Sequence, residues 1–278
     1  MKTIFLSFIF ILNLWANERI ISLSPSITEI IFALGKGDEL VGVSSYSLYP
    51  KEAQNLPIIG GYQNPNIEKI IALKPTLVVG QTYNQHVLDK LKIFNINTLN
   101  LNLKRLHSIK KSINTLNEAI NANGAKKLIT DIDEAIKNAP KSKKPHSVMI
   151  VYGLREDLRS GNYIAGHDIF FEDIIEECGN TNAYKETYLS QPVLSYENII
   201  AINPDQIIIL HSLATGSDID VKRAFNSWMS IPTTASKNND IHIINDNYLH
   251  IPSHRVALTI KRLCGVMNDW VFKLFMQF

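Results

Sequence analysis

Beyond its first residues, this chain has no run of roughly 20 apolar residues free of charge, so no later segment reads as a membrane-spanning helix. It also lacks an excess of either charge. The 28 Lys and Arg against 26 Asp and Glu leave a net charge of only +2, and the lysines are spread along helical segments, which argues against a nucleic-acid partner. The basic run Lys141–Lys144 reads as a solvated turn before a strand. Catalytic signatures are missing too: there is no HExxH, no GxSxG and no phosphate loop of the form GxxxxGK(S/T), and nothing marks a nucleophile or an activated base. An exported metal-dependent hydrolase or chelatase therefore stands only as an alternative, resting on scattered histidines. Cysteine is scarce. Cys178 and Cys264 sit in neither CxxC nor CxxH spacing, which disfavours a metal site built on them.

What the chain does have begins with a leader pattern. Lys2 precedes the apolar run Ile4–Leu14, and Ala16 supplies a small residue at the cut, so residues 1–16 read as a signal peptide and 17–278 as the mature chain. No cysteine lies at the cut to carry a lipid, and a soluble periplasmic protein, monomeric and without a cofactor of its own, is the expectation. In a reducing compartment the two cysteines would be buried thiols; export favours a Cys178–Cys264 disulfide tying the closing helix to a helix over 169–177.

Two stretches are near copies: Glu68-Lys69-Ile70-Ile71-Ala72-Leu73-Lys74-Pro75 with the strand after it, and Glu197-Asn198-Ile199-Ile200-Ala201-Ile202-Asn203-Pro204 with its own. Each reads as a helix capped by Asn66 or Ser195, a stop at proline, and a strand buried on both faces. The pattern predicts an α/β fold of two similar lobes with parallel sheets and a ligand cleft between them. The first lobe spans 17–104 and the second 146–278. Between them, 105–145 is amphipathic, with a break at Asn121–Gly124, and reads as one long connecting helix. Parallel sheets bind ligands beyond the carboxyl ends of their strands, where Ser24, Tyr46, Tyr62 and Tyr83 fall in the first lobe.

Arg19-Ile20-Ile21-Ser22-Leu23-Ser24-Pro25-Ser26-Ile27-Thr28-Glu29, the turn Val41-Gly42-Val43-Ser44-Ser45-Tyr46 and the repeated Glu-x-Ile-Ile-Ala-x-x-Pro together resemble the periplasmic substrate-binding proteins of ABC importers for metal chelates, nearest to the cobalamin-binding members. The resemblance covers nearly all of the mature chain. It implies two Rossmann-like lobes joined by a single long helix, little hinge motion, a small-molecule chelate as cargo and a transient partner in an inner-membrane ABC permease. It also implies that Glu68 and Glu197, one per lobe, pair with permease arginines, and that Cys178 and Cys264 occupy disulfide positions. Read without the resemblance, each glutamate simply complements a helix N-terminus.

Within the resemblance, Tyr46 and Tyr62 match aromatic positions that flank the ligand, and Tyr248 lies in a loop that holds a third. Three more aromatic positions fall here on Gln81, Leu158 and Gln191, with Tyr83 two residues from the first of them. The remaining polar residues keep haem, a ferric siderophore or a nickel or cobalt chelate open beside cobalamin. His211 and His250 lie at predicted strand ends and carry imidazoles suited to haem iron, nickel or cobalt, and His254 flanks the same loop. Arg155 is placed to pair with a carboxylate. His167 reads as a cap or surface residue.

Overall fold

The computed structural model describes residues 18–211 and 219–268, so the predicted signal peptide lies outside the described residues. The first lobe runs β1 (Ile20–Ser22), α1 (Pro25–Ala33), β2 (Leu40–Val43), α2 (Ile67–Ala72), β3 (Leu77–Gln81), α3 (Gln85–Ile93) and β4 (Asn97–Leu101). Helices α4 (Leu106–Ala119) and α5 (Ala125–Lys137) connect it to β5 (Ser147–Tyr152), β6 (Asn162–Ile164), α6 (Phe170–Glu177), β7 (Thr181–Asn182), β8 (Val193–Leu194), α7 (Tyr196–Ile202), β9 (Gln206–Leu210), α8 (Val221–Met229), α9 (Thr234–Lys237), β10 (Ile241–Ile244) and α10 (Val256–Asn268).

The first sheet is parallel throughout, in the order β2-β1-β3-β4. In the second, the parallel strands read β7-β5-β9-β10, the same path with the same helix–strand copy in third place. Two antiparallel strands, β6 and β8, extend this sheet in a way that alternation of helix and strand does not predict. Gly166 follows β6 and allows the return segment to cross closely, since a Cβ there would collide with Leu189 O.

Both copies are built as their sequences require. Asn66 Oδ1 accepts from Lys69 N at 2.9 Å, and Ser195 Oγ from Asn198 N at 3.3 Å, so each helix opens on a side-chain cap. Each closes one residue before its proline on a left-handed residue, Lys74 with φ 47° and Asn203 with φ 49°. The Arg19 guanidinium then satisfies two carbonyls freed at the end of α2, Leu73 O at 2.6 Å and Lys74 O at 3.0 Å. Helix α1 starts at Pro25, because proline tolerates the first helical position and Ser24 caps it.

The single connecting helix expected from the amphipathic pattern is two helices, divided at the predicted break. Ile120 and Ala125 flank a turn in which Asn121 takes φ 48°, and Asn117 Oδ1 accepts from Ala125 N at 3.1 Å. Helix α5 thereby folds back against α4 and also meets α10. One apolar core consequently runs through the whole molecule, from Ile20, Ile27 and Ile31 through Ile113, Leu116 and Ile132 to Ile174, Val256, Ile260 and Met267. The outer faces of the two sheets close smaller cores, one around Leu88 and Leu91, the other around Trp228 and Ile199.

Cys178 and Cys264 form the disulfide, with Cα atoms 5.1 Å apart, joining the end of α6 to α10. Closing 86 residues, it stabilises by roughly 4 to 5 kcal/mol in the chain-entropy picture.

Candidate functional site

The carboxyl ends of the first sheet form one wall of the site. Beneath it, Thr28 Oγ1 donates to Ser22 Oγ at 2.9 Å and lies 3.1 Å from Ser47 Oγ, which is 3.2 Å from Ser44 Oγ. These buried hydroxyls satisfy one another and fix the turn after β2. Tyr46 is thereby presented outward with φ 65° and is 67% exposed. Tyr62 and Tyr83, both exposed, meet edge to face with centroids 5.8 Å apart. The Tyr83 hydroxyl is pushed well up by burial of its polar end and by its neighbour Tyr62.

Two residues that the sequence did not mark as structural hold this wall. Asn84, fully buried, donates from Nδ2 to Tyr62 O at 2.7 Å and accepts from Gln81 N at 3.0 Å, tying Tyr62 to the end of β3. Gln81 spends its own amide on Ser24 Oγ at 2.9 Å, so it braces the cap of α1. Leu158, another of the three expected aromatic positions, is buried in the outer core of the second lobe, while Gln191 is exposed.

The second wall lies at the ends of β5, β9 and β10. Beside it opens a cavity of about 460 Å³ lined by Tyr152, Gly153, Arg155, Asp157, Ser160 and Ile219 among others. Arg155 Nη1 lies 3.5 Å from Ser160 Oγ, and its guanidinium sits 5.8 Å from the ring of Tyr163. His211 ends β9, buried, with its backbone N–H donated to Ile244 O at 2.8 Å. The loop after β10 carries Tyr248 and His250. Burial and nearby Asp246 raise the Tyr248 hydroxyl. His250 stacks against Tyr152 at 5.8 Å, and burial pushes its imidazole down to about 4.

At neutral pH His250 is therefore uncharged, the form that ligates metals. His254 is also pushed down to about 4, by burial and by Arg255. Between about pH 6.5 and about 4 the unfolded chain binds protons that the native imidazoles refuse, so unfolding free energy rises with pH across that window. Stability held above pH 6.5 is thus expected to fall as the pH drops toward 4, and His250→Gln to flatten the decline in denaturant midpoints. An unaltered slope in that variant would mean that His250 does not titrate as a buried group.

The sequence-predicted residues thus gather in two sets, Tyr46, Tyr62 and Tyr83 on the first lobe, and Arg155, His211, Tyr248 and His250 on the second. Tyr152 and Tyr163 join the second set without having been singled out; Tyr152 was legible as the last residue of a strand, whereas nothing in the sequence flagged Tyr163. His167 keeps its side chain partly at the surface, with its Nδ1 2.6 Å from Glu172 Oε1. Glu68 and Glu197 belong to neither set. Each is exposed at the second position of its capped helix, and Ser195 together with its own backbone N–H lowers the pKa of Glu197. Among the described residues no cluster of His, Cys, Asp and Glu is arranged to hold a bare metal ion, and no helix is long and apolar enough to cross a membrane.

A family profile described as periplasmic binding protein matches residues 20–247. A vitamin B12-binding protein of Yersinia pestis is 28% identical over 261 residues, covering 91% of this chain and 87% of that protein. Among solved structures, the periplasmic vitamin B12-binding protein BtuF of Vibrio cholerae superposes with a TM-score of 0.71 at 26% identity, covering 90% of this chain and 96% of its own. The periplasmic heme-binding protein RhuT of Roseiflexus, in apo form, gives 0.73 at 25% identity, covering 91% and 98%. These relatives are binding proteins and not enzymes, which leaves the hydrolase alternative without support.

Proposed function

The chain belongs to the periplasmic binding protein family, and from that premise we propose that it captures a planar metal chelate between its lobes and delivers it to an inner-membrane ABC permease. Cobalamin or a related corrinoid is the first cargo to test. The observation that carries this reading is the exposed edge-to-face pair Tyr62 and Tyr83, together with Tyr46 exposed on the turn after β2, at the strand ends of the first lobe. Exposed tyrosine faces suit stacking on a macrocycle, and such pairs keep their geometry at low entropic cost.

Haem is the second reading, and two observations favour it. Arg155 beside an open cavity matches carboxylate arms, which haem carries and the amide-bearing corrinoids largely do not. A neutral His250 on the same wall offers an axial ligand. A ferric siderophore or a nickel or cobalt chelate has no comparable support. Glu68 and Glu197 are assigned to permease docking because both project, exposed, from equivalent positions of the two repeats.

Native mass spectrometry with an absorption spectrum, on mature protein offered cobalamin, haem, ferric siderophores and nickel in competition, tests the cargo. Retention of cobalamin supports the first reading and retention of haem the second; retention of neither overturns both. Tyr62→Ala is expected to raise the dissociation constant of the retained chelate by about tenfold, the loss of one stacking face. An unchanged constant removes Tyr62 from the site. Arg155→Ala separates the readings further, weakening haem while sparing cobalamin.

A further inference from the structure

The loop from Asn245 to Ser253, which carries Tyr248 and His250, is held from the opposite lobe. Arg255 lies at its end, just before α10, and is 7% exposed. Its Nε donates to Glu29 Oε2 at 2.9 Å and its Nη2 to Glu29 Oε1, an arrangement bidentate across the lobe boundary because Glu29 belongs to α1. The remaining Nη1 donates to Asn247 Oδ1 at 3.0 Å inside the loop. Ser253 Oγ also donates to Glu29 and accepts from Arg255 N at 3.1 Å. Tyr49, again from the first lobe, covers the guanidinium at 4.0 Å, and the ring of Tyr248 lies 5.8 Å away.

A guanidinium alone has the planar fork that reaches a carboxylate with two nitrogens and an amide with the third; a lysine ammonium at the same place serves one side or the other. Within its own lobe the loop is also held by Leu249 buried in the common core, by His250 against the ring of Tyr152 at 5.8 Å, and by Asp246 paired with Arg262 at 3.0 Å. None of these contacts is a hydrogen bond to the first lobe, which Arg255 and Ser253 supply through Glu29.

We propose that Arg255 is a positioning residue that transmits the placement of the first lobe, through Glu29, to the cleft loop bearing Tyr248 and His250, so that the ligand-facing geometry of one wall is set by the other wall. The assignment of this loop to the ligand rests on the functional reading above; the mechanical coupling does not. Arg255 and Glu29 touch no ligand in this scheme and act through Asn247 and Tyr248.

Hydrogen exchange on the ligand-free protein tests the coupling. In Arg255→Lys and in Glu29→Gln, exchange of the amides of 246–250 is expected to accelerate at least tenfold more than that of β9 and of α8 around Trp228, whose rates follow global stability. The double variant Glu29→Leu with Arg255→Met separates positioning from bulk stability: it is expected to recover the melting temperature but not the protection of 246–250, and to bind haem or cobalamin at least tenfold more weakly than wild type. Unchanged exchange over 246–250 in the single variants, or recovery of protection together with melting temperature in the double variant, overturns the proposal. If wild type binds neither chelate, the cargo reading fails while the exchange result still decides the coupling.

Discussion

Glu68→Ala combined with Glu197→Ala is expected to reduce uptake of the cargo by at least about tenfold while leaving its dissociation constant within about twofold. Both carboxylates are exposed and sit at the second position of capped helices that occupy the same place in the two halves, and neither belongs to the tyrosine set or to the loop after β10. Exposed charges of this kind contribute little to folding, whereas across a protein–protein contact they steer encounter and fix register. Each single variant keeps one of two contacts and should fall between wild type and the double variant. Transport by reconstituted permease and calorimetric affinity on the same preparations give the two numbers. Uptake at the wild-type rate by the double variant would show that these glutamates do no more than complement their helices.

Glu29→Ala is expected to cost about 3 to 5 kcal/mol of stability, the penalty for stranding a buried guanidinium. The pair it breaks is 3% and 8% exposed at its two side chains, less than the pairs of Arg105 with Glu172 and Asp173 or of His242 with Asp240. Replacing both members, as in Glu29→Leu with Arg255→Met, should cost much less, because the desolvation of both charges is removed together with their attraction. Denaturant unfolding of wild type, the two single variants and the double variant forms the cycle. A cost below about 1 kcal/mol for Glu29→Ala would mean that water reaches Arg255 once its partner is gone.

The lobes were legible because their signals are local. The repeated helix and strand announce themselves by an N-cap, a carboxylate in the first turn and a proline, all within twelve residues, and the strand ends that carry Tyr46, Tyr62 and Tyr83 follow from the same punctuation. The Cys178–Cys264 bond was readable since two cysteines in an exported chain have a single pairing. Features set by distant neighbours left no such mark. Strand β8 is two residues long and exists through its pairing with β6; Val193 and Leu194 read simply as an apolar pair. Helix α8 has an apolar face but follows a stretch without clear punctuation, and its cap, Asp220, resembles any surface aspartate. The division of the connecting segment was visible in Asn121 and Gly124, yet only packing against α10 makes folding back preferable to one straight rod. Glu29 and Arg255 stand 226 residues apart, and a single sequence cannot say that they meet.

The common core has a consequence for how such a chain can be made. Its members include Ile20 near the beginning and Leu263, Cys264 and Met267 near the end, so no early portion of the polypeptide contains both sides of it. A chain still lacking α10 leaves α5 covered by α4 alone and cannot close the bond from Cys178. Tying the first strand to the closing helix thus makes completion of the fold a property of nearly the whole polypeptide, and the Cys178–Cys264 bond can seal it only once both distant parts are present.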